Sequence, residues 1–384
     1  MSITDVAAVA AAPYLDILHP IVESVVAPAA AEIDRTGAYP RAALDALGEA
    51  GLLGLVTGTD AGGLGEGHRA AALVVEELAR HCGSTAMVVL MHYAGAAVLE
   101  AHGPAGVRRR LAEGRYLTTL AFSEVGSRSM FWVPMSTAVA DGADGPVRLE
   151  ARKSWVTSAG QADGYVWSSR PLAAEGASTI WLVPGDAAGL TVGPPFDGLG
   201  LRGNESRPIT AERVPVPADA MLSSDGGGFD VMLGTVLPYF QVMSAGFSLG
   251  LADATTSMAA AHVAGTRFEH LDQSLAENPV IRAYVARMRV KTDAARALLL
   301  DALTALEQGR EDAMLRVLQV KAAASEAAVE VTDLGMRVCG GAAFRKELGV
   351  ERHFRDARAA TVMAPTTDTL YDFIGKAVCG LPLF

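Results

Sequence analysis

The hydrophobic period changes twice along this chain, and that change does more than any other feature to limit what the chain can fold into. Residues 21–33, 41–50, 68–81 and 84–102 carry apolar side chains at three- and four-residue spacing, the pattern of helices with a buried stripe. Ser84 is the expected N-cap of the last of these. A glycine-rich loop at 60–67 (DAGGLGEG) interrupts the pattern. From about Leu117 the texture shortens to β-forming runs at 147–151, 165–168, 179–183 and 209–214, set apart by turn clusters such as 141–146 (DGADGP). After 225–228 (DGGG) the helical period returns, with long segments at 229–264, 279–307 and 312–339. The expected architecture is α+β and multidomain. A helical domain spans 1–116, a β-barrel or β-sandwich domain 117–227, and a C-terminal four-helix bundle 228–384.

Composition narrows the function classes. Half of the 384 residues are hydrophobic and only 20% are charged, which excludes disorder and predicts large buried cores. The charge balance, 32 − 43 = −11, argues against a nucleic-acid partner, which would want a basic face. The longest apolar stretch, 86–99, is interrupted by His92 and is expected to be too short to span a membrane. Asp5 precedes any apolar run and no basic segment opens the N-terminus, so no signal peptide is expected. Three cysteines (Cys82, Cys339, Cys379) lack metal-ligand spacing, so no metal site is expected. An odd number of thiols suits a reducing cytoplasm.

Five motifs, in order and spread over almost the whole chain, carry a family resemblance. They are 62–65 (GGLG) with 76–80 (EELAR); 120–129 (LAFSEVGSRS); 155–157 (WVT); 201–203 (LRG) through 214–217 (VPVP); and 337–341 (RVCGG) with 355–357 (RDA). Together they resemble the acyl-CoA dehydrogenase flavoproteins. The resemblance implies that family's fold, bound FAD and a homotetramer. A flat isoalloxazine ring needs an aromatic wall and a donor near its reactive nitrogen. Trp155 can supply the wall, and the Thr157 hydroxyl or backbone N–H the donor, with Val156 between them. Ser123, Gly126 and Ser129, beside Phe122, offer small residues and donors to the pyrophosphate, as do Gly340 and Gly341, where only glycine lets the backbone approach. In the family the diglycine, preceded here by Arg337, reaches the cofactor of a neighbouring subunit. Arg267 resembles the cationic contact from that neighbour, and Thr366 and Asp368 fall on the adenosine side.

The base of such a dehydrogenase is missing. In most relatives a glutamate follows the RDA motif in a Tyr-Glu-Gly-Thr string; counting from Arg355, that string here is Met363-Ala364-Pro365-Thr366, and Ala364 takes the glutamate position. Some relatives carry the acid on the first long helix of the bundle, a site that falls near Phe240, between Tyr239 and Gln241. Neither position holds a proton acceptor. The remaining candidate is His92, in an apolar helix where several relatives line the substrate pocket. Tyr239, Met243, Met363 and Ala364 complete the expected pocket. Arg128 and 130–132 (MFW), replacing the small residues usual after the flavin motif, are expected to reshape its entrance.

The resemblance implies an FAD-dependent oxidoreductase acting on the CH–CH bond of an acyl thioester carried by CoA or a carrier protein, with an electron-transfer flavoprotein as acceptor. A flavin-dependent monooxygenase on the same fold is the first alternative, and a non-catalytic partner of an active paralogue the second.

Overall fold

The computed structural model describes residues 12–128, 130–142 and 146–383. The N-terminal helices are α1 (Pro13–Ile21), α2 (Ala27–Thr36), α3 (Arg41–Glu49), α4 (His68–His81), α5 (Gly83–His102) and α6 (Ala105–Ala112). A π-helical turn, Val22–Val26, joins α1 to α2, so the helix read at 21–33 begins earlier and is not regular throughout. Helix α5 starts at Gly83 with Cys82 at its N-cap position, and Ser84 lies inside the first turn. The Ser84 hydroxyl instead accepts the Gly203 N–H across the domain boundary at 3.1 Å. The residue suited to capping is used to tie two segments together.

The middle segment folds as two small sheets. One has the order β1-β4-β5, with β1 (Thr118–Ala121) parallel to β4 (Gly164–Ser169) and β4 antiparallel to β5 (Thr179–Pro184). The other is antiparallel, β2-β3-β7-β6, built from β2 (Thr137–Ala140), β3 (Val147–Val156), β6 (Leu190–Val192) and β7 (Arg207–Val216). Trp167 and Trp181 face each other in the β4–β5 register and are fully buried. They pack with Val147, Leu149, Val214 and Val216 of the second sheet into a separate core.

The C-terminal helices are α7 (Gly228–Val231), α8 (Leu237–Gly265), α9 (Pro279–Gln308), α10 (Ala313–Cys339), α11 (Val350–Val362) and α12 (Thr367–Val378), with a hairpin of β8 (Arg267–Phe268) and β9 (Gln273–Ser274) after α8. A π-helical turn (Met232–Val236) runs α7 into α8. The largest core unites both helical regions: Leu78, Val89 and Val98 share it with Phe247, Leu251 and Val331.

Run length does not settle the membrane question as the sequence suggested. Gly83–His102 and Gly228–Gly265 are both long and apolar enough to cross a bilayer. Burial distinguishes them: 83% and 78% of their most apolar windows pack inside the fold, as in core helices.

Candidate active site

A cavity of about 1080 Å³ opens where the β domain meets the C-terminal helices. This lies at the upper end of the roughly 300–1,000 Å³ usual for ligand sites, large enough for a cofactor-sized ligand. Six chain segments form it, among them α5 with Met87 and Met91 and the stretch 194–208 with Phe196 and Leu201. The loop after β1 contributes Phe122, Ser123, Gly126 and Phe131; the end of β3 contributes Trp155 and the following Thr157. The start of the long helix contributes Leu237 and Phe240, and the end of α11 brings Val362, Met363, Ala364 and Pro365.

Trp155 owes its position to an irregularity. The β3–β7 register slips between Lys153 and Val156, and Trp155 has φ +57°, a left-handed conformation uncommon for a bulky residue. Lys153 and Val156, three residues apart, therefore both point inward, while Trp155 turns out onto the cavity and is 69% exposed, with Phe196 edge-on at 6.4 Å. Thr157 beside it is buried, and its hydroxyl has no protein partner among the described residues. Val156 packs its side chain into the β-domain core, so only its backbone can serve a ligand here.

The inward residue at the slip, Lys153, holds the cavity loop in place. Its ammonium donates to Glu124 at 2.5 Å and to Ser168 O at 2.7 Å, with both charged side chains almost fully buried. Glu124 also accepts from Met135 N at 2.5 Å, Ser136 N at 2.8 Å and Ser136 Oγ at 2.5 Å. Burial alone would raise the Glu124 pKa, but the Lys153 charge and these donors outweigh it and hold the carboxyl below its usual range. Lys153 is a site residue that the sequence motifs do not include. Its signal was a cation at an inward strand position two residues before the tryptophan.

The pocket offers no proton acceptor at either expected position. Ala364 and Phe240 both line it. The carboxylates among its described lining residues are Glu124, committed as above, and Asp197, whose side chain is 91% exposed and faces Arg202 at 3.4 Å. Arg355 is also committed, to Asp34 at 2.6 Å and Glu351 at 2.6 Å. The Ala364 N–H has no acceptor among the described residues, a spare donor in the wall.

His92 is not part of this cavity, which corrects the expectation that it could act as acid or base. It is fully buried; Nδ1 accepts the Thr118 N–H at 3.2 Å, and Nε2 lies 2.9 Å from the Leu53 carbonyl, to which it donates. Burial lowers its pKa to about 4, so the ring is a neutral strut between α5, β1 and the loop after α3. Tyr239 is also turned away. It lies about 100° around the helix from Phe240 and stacks on His68 at 3.9 Å. Met243, one turn deeper, is fully buried in the shared core and does not reach the pocket.

The other expected cofactor contacts lie outside this cavity. Arg267 donates to the Asp272 carbonyl and carboxylate, each at 2.6 Å, in the β8–β9 hairpin. Arg337 lies over the Tyr284 ring at 4.9 Å. Gly340 has φ +55°, and a Cβ at either glycine of the pair would meet nothing within 4 Å, so this backbone faces open space. Thr366 caps α12 by accepting from Thr369 N, and Asp368 is exposed in its first turn. Ser129 lies outside the described residues.

These features fit a flavin. An exposed aromatic face, a threonine hydroxyl at the cavity wall with no partner among the described residues and an open glycine at φ +96° (Gly126) line one large, mostly apolar pocket.

Comparison with known proteins agrees across the chain. Residues 15–115, 119–214 and 226–379 match the acyl-CoA dehydrogenase N-terminal, middle and C-terminal domains, respectively. Cyclohex-1-ene-1-carbonyl-CoA dehydrogenase of Geobacter metallireducens is 28% identical over 373 residues, 95% of this chain and 96% of that protein. The human mitochondrial short-chain specific acyl-CoA dehydrogenase is 30% identical over 350 residues, covering 89% and 83%. The solved butyryl-CoA dehydrogenase of Megasphaera elsdenii superposes with a TM-score of 0.88 at 24% identity, over 96% of this chain and 97% of that one. The chain belongs to the acyl-CoA dehydrogenase family of oxidoreductases.

Proposed function

We propose that this enzyme is an FAD-dependent oxidoreductase that acts on the CH–CH bond of an acyl thioester, carried by CoA or a carrier protein, without a carboxylate base of its own. One observation carries the reading: Ala364 lines the cavity and its backbone N–H has no acceptor among the described residues, while of the two lining carboxylates Glu124 is tied to Lys153 and Asp197 is 91% exposed beside Arg202. When bound, FAD supplies a hydride acceptor. Trp155 and Thr157 hold its ring, and Ser123 and Gly126 give the phosphates close backbone approach. The Ala364 N–H holds the thioester carbonyl and so stabilises charge that develops on it. Phe122, Phe131 and Phe240 exclude water around the acyl chain. Because no lining carboxylate is free to take the α-proton, that proton has to leave to solvent water at the mouth of the cavity, and the substrate must carry a C–H acidic enough for so weak an acceptor.

The same reading makes the enzyme a cytoplasmic homotetramer that passes electrons to an electron-transfer flavoprotein. Large apolar side chains left exposed along the C-terminal helices, among them Val290, Phe344 and Val378, support assembly there. In that assembly Arg267, Gly340 and Gly341 serve the cofactor of a neighbouring subunit, Arg337 also contacts the cofactor, and Thr366 and Asp368 lie on its adenosine side.

A second reading, oxygen insertion with reduced flavin, is favoured by the same lack of a base. Anaerobic mixing with acyl thioesters separates the two. Bleaching of the bound flavin in a sealed cuvette supports dehydrogenation. Product that forms only with reduced flavin and O2, and contains an oxygen atom from O2, supports the second reading.

A further inference from the structure

Lys321 lies in α10 among Val317, Leu318, Val320, Ala322 and Ala324, all buried, and is itself fully buried. No carboxylate pairs with it among the described residues. Its ammonium instead donates to the Met363 carbonyl at 2.8 Å and the Pro365 carbonyl at 2.6 Å. Those two carbonyls flank Ala364. We propose that Lys321 is a positioning residue that fixes segment 363–365, and with it the Ala364 N–H, in the wall of the active-site cavity.

The Met363 and Ala364 side chains pack against the main core, but among the described residues few other hydrogen bonds fix the segment's backbone. It bridges the end of α11 at Val362 and the start of α12 at Thr367. Met363 N still bonds back to Ala359 O at 3.0 Å, but Ala364 N has no acceptor among the described residues and Pro365 has no N–H to give. The last carbonyls of a helix have no partner within it, and Met363 follows directly on α11. One ammonium with three donors can satisfy two such acceptors from a helix packed against both. Burying it without a counter-charge disfavours the charged form and brings its pKa down to about 7. An apolar side chain would fill the same space without that cost, so the two carbonyls are the visible reason for a lysine here. The link to catalysis rests on the carbonyl-holding role given to Ala364 above.

The test compares Lys321→Met, which keeps the volume and removes the donors, with Ser325→Ala. Ser325 lies one turn further along α10 and ties it to α11 through Ala360 O at 3.4 Å, away from the segment. Hydrogen exchange of the FAD-loaded proteins is followed by mass spectrometry over residues 361–370, where Met363 N, Thr369 N and Leu370 N are protected. We expect at least roughly ten-fold faster exchange there in Lys321→Met, wild-type rates in the centres of α10 and α11, and no change over 361–370 in Ser325→Ala. Lys321→Gln, which keeps an N–H donor, should recover part of the protection and serves as the test variant if Lys321→Met does not fold. Unchanged exchange on losing the donors, or an equal rise in Ser325→Ala, overturns the proposal. The readout needs no substrate, so failure of every acyl-CoA to bleach the flavin would overturn the functional reading while leaving this result standing.

Discussion

Replacing Lys153 by methionine is the perturbation whose cost follows most directly from the structure. The Lys153 ammonium lies 2.5 Å from Glu124, with side-chain exposures of 0% and 2%. Removing it strips one of four donors from a carboxylate that is out of water, leaving Met135 N, Ser136 N and Ser136 Oγ. Breaking one side of a buried pair typically costs about 3–5 kcal/mol, mostly because the other charge is left uncompensated. At about 2–4 °C per kcal/mol, the figure for the larger cooperative units, the melting point should fall by about 6 °C or more. The loop that Glu124 anchors carries Phe122, Ser123 and Gly126 into the cavity, so flavin should be released at or below that temperature. Differential scanning fluorimetry, with flavin fluorescence as a second channel, measures both. Adding Glu124→Gln removes the orphaned charge and should recover much of the loss. A single variant within about 2 °C of wild type, or a double variant no better than the single, would refute this reasoning.

Three further predictions follow from residues outside this pair. His92→Leu leaves the Thr118 N–H and Leu53 carbonyl without partners and should destabilise by about 1–3 kcal/mol for each, while the flavin-loaded fraction keeps its specific activity; a selective loss of turnover would restore a catalytic role. The folded-state pKa of Lys321, about 7 against an ordinary 10.5, means the unfolded chain binds a proton across that window which the folded protein does not, so this group's contribution to stability rises with pH there. Urea midpoints at pH 7 and 9.5 should therefore show a gain in wild type that Lys321→Met lacks, and parallel midpoints would contradict the assignment. Trp155→Ala, at an exposed position, should leave the melting point of the apoprotein nearly unchanged but lower the flavin retained after gel filtration; full retention would show that Trp155 is not the ring wall.

The helical and strand segments were legible because their periods differ and the bundle helices are long. The gaps were local. The slip at Trp155 needs a positive φ that a tryptophan does not announce, so the sequence placed the ring near the flavin without the turn that exposes it. His92 looked available because the sequence cannot reveal that both ring nitrogens meet backbone groups from distant segments. Tyr239 and Met243 were placed in the pocket by proximity to Phe240, whereas helix rotation turns one toward His68 and depth buries the other. Lys153 and Lys321 escaped notice for a shared reason. A lysine reads as surface unless its register is known, and both sit at inward positions of their elements. The empty base position, by contrast, is a matter of residue identity, and counting from Arg355 reached it.

The central claim is that the cavity is built for an acyl thioester but lacks a carboxylate base. Anaerobic stopped-flow reduction of bound flavin by butyryl-CoA and palmitoyl-CoA, in wild type and Ala364→Glu, tests it most directly. General-base assistance is worth roughly 100- to 10,000-fold, and a carboxylate restored at the cavity wall should recover a measurable part of that. The account predicts slow or undetectable reduction in wild type and a clearly faster rate in the variant. Fast reduction of the wild-type flavin by these simple substrates would contradict the absence of a base. No gain in a folded, FAD-loaded Ala364→Glu would contradict the thioester site.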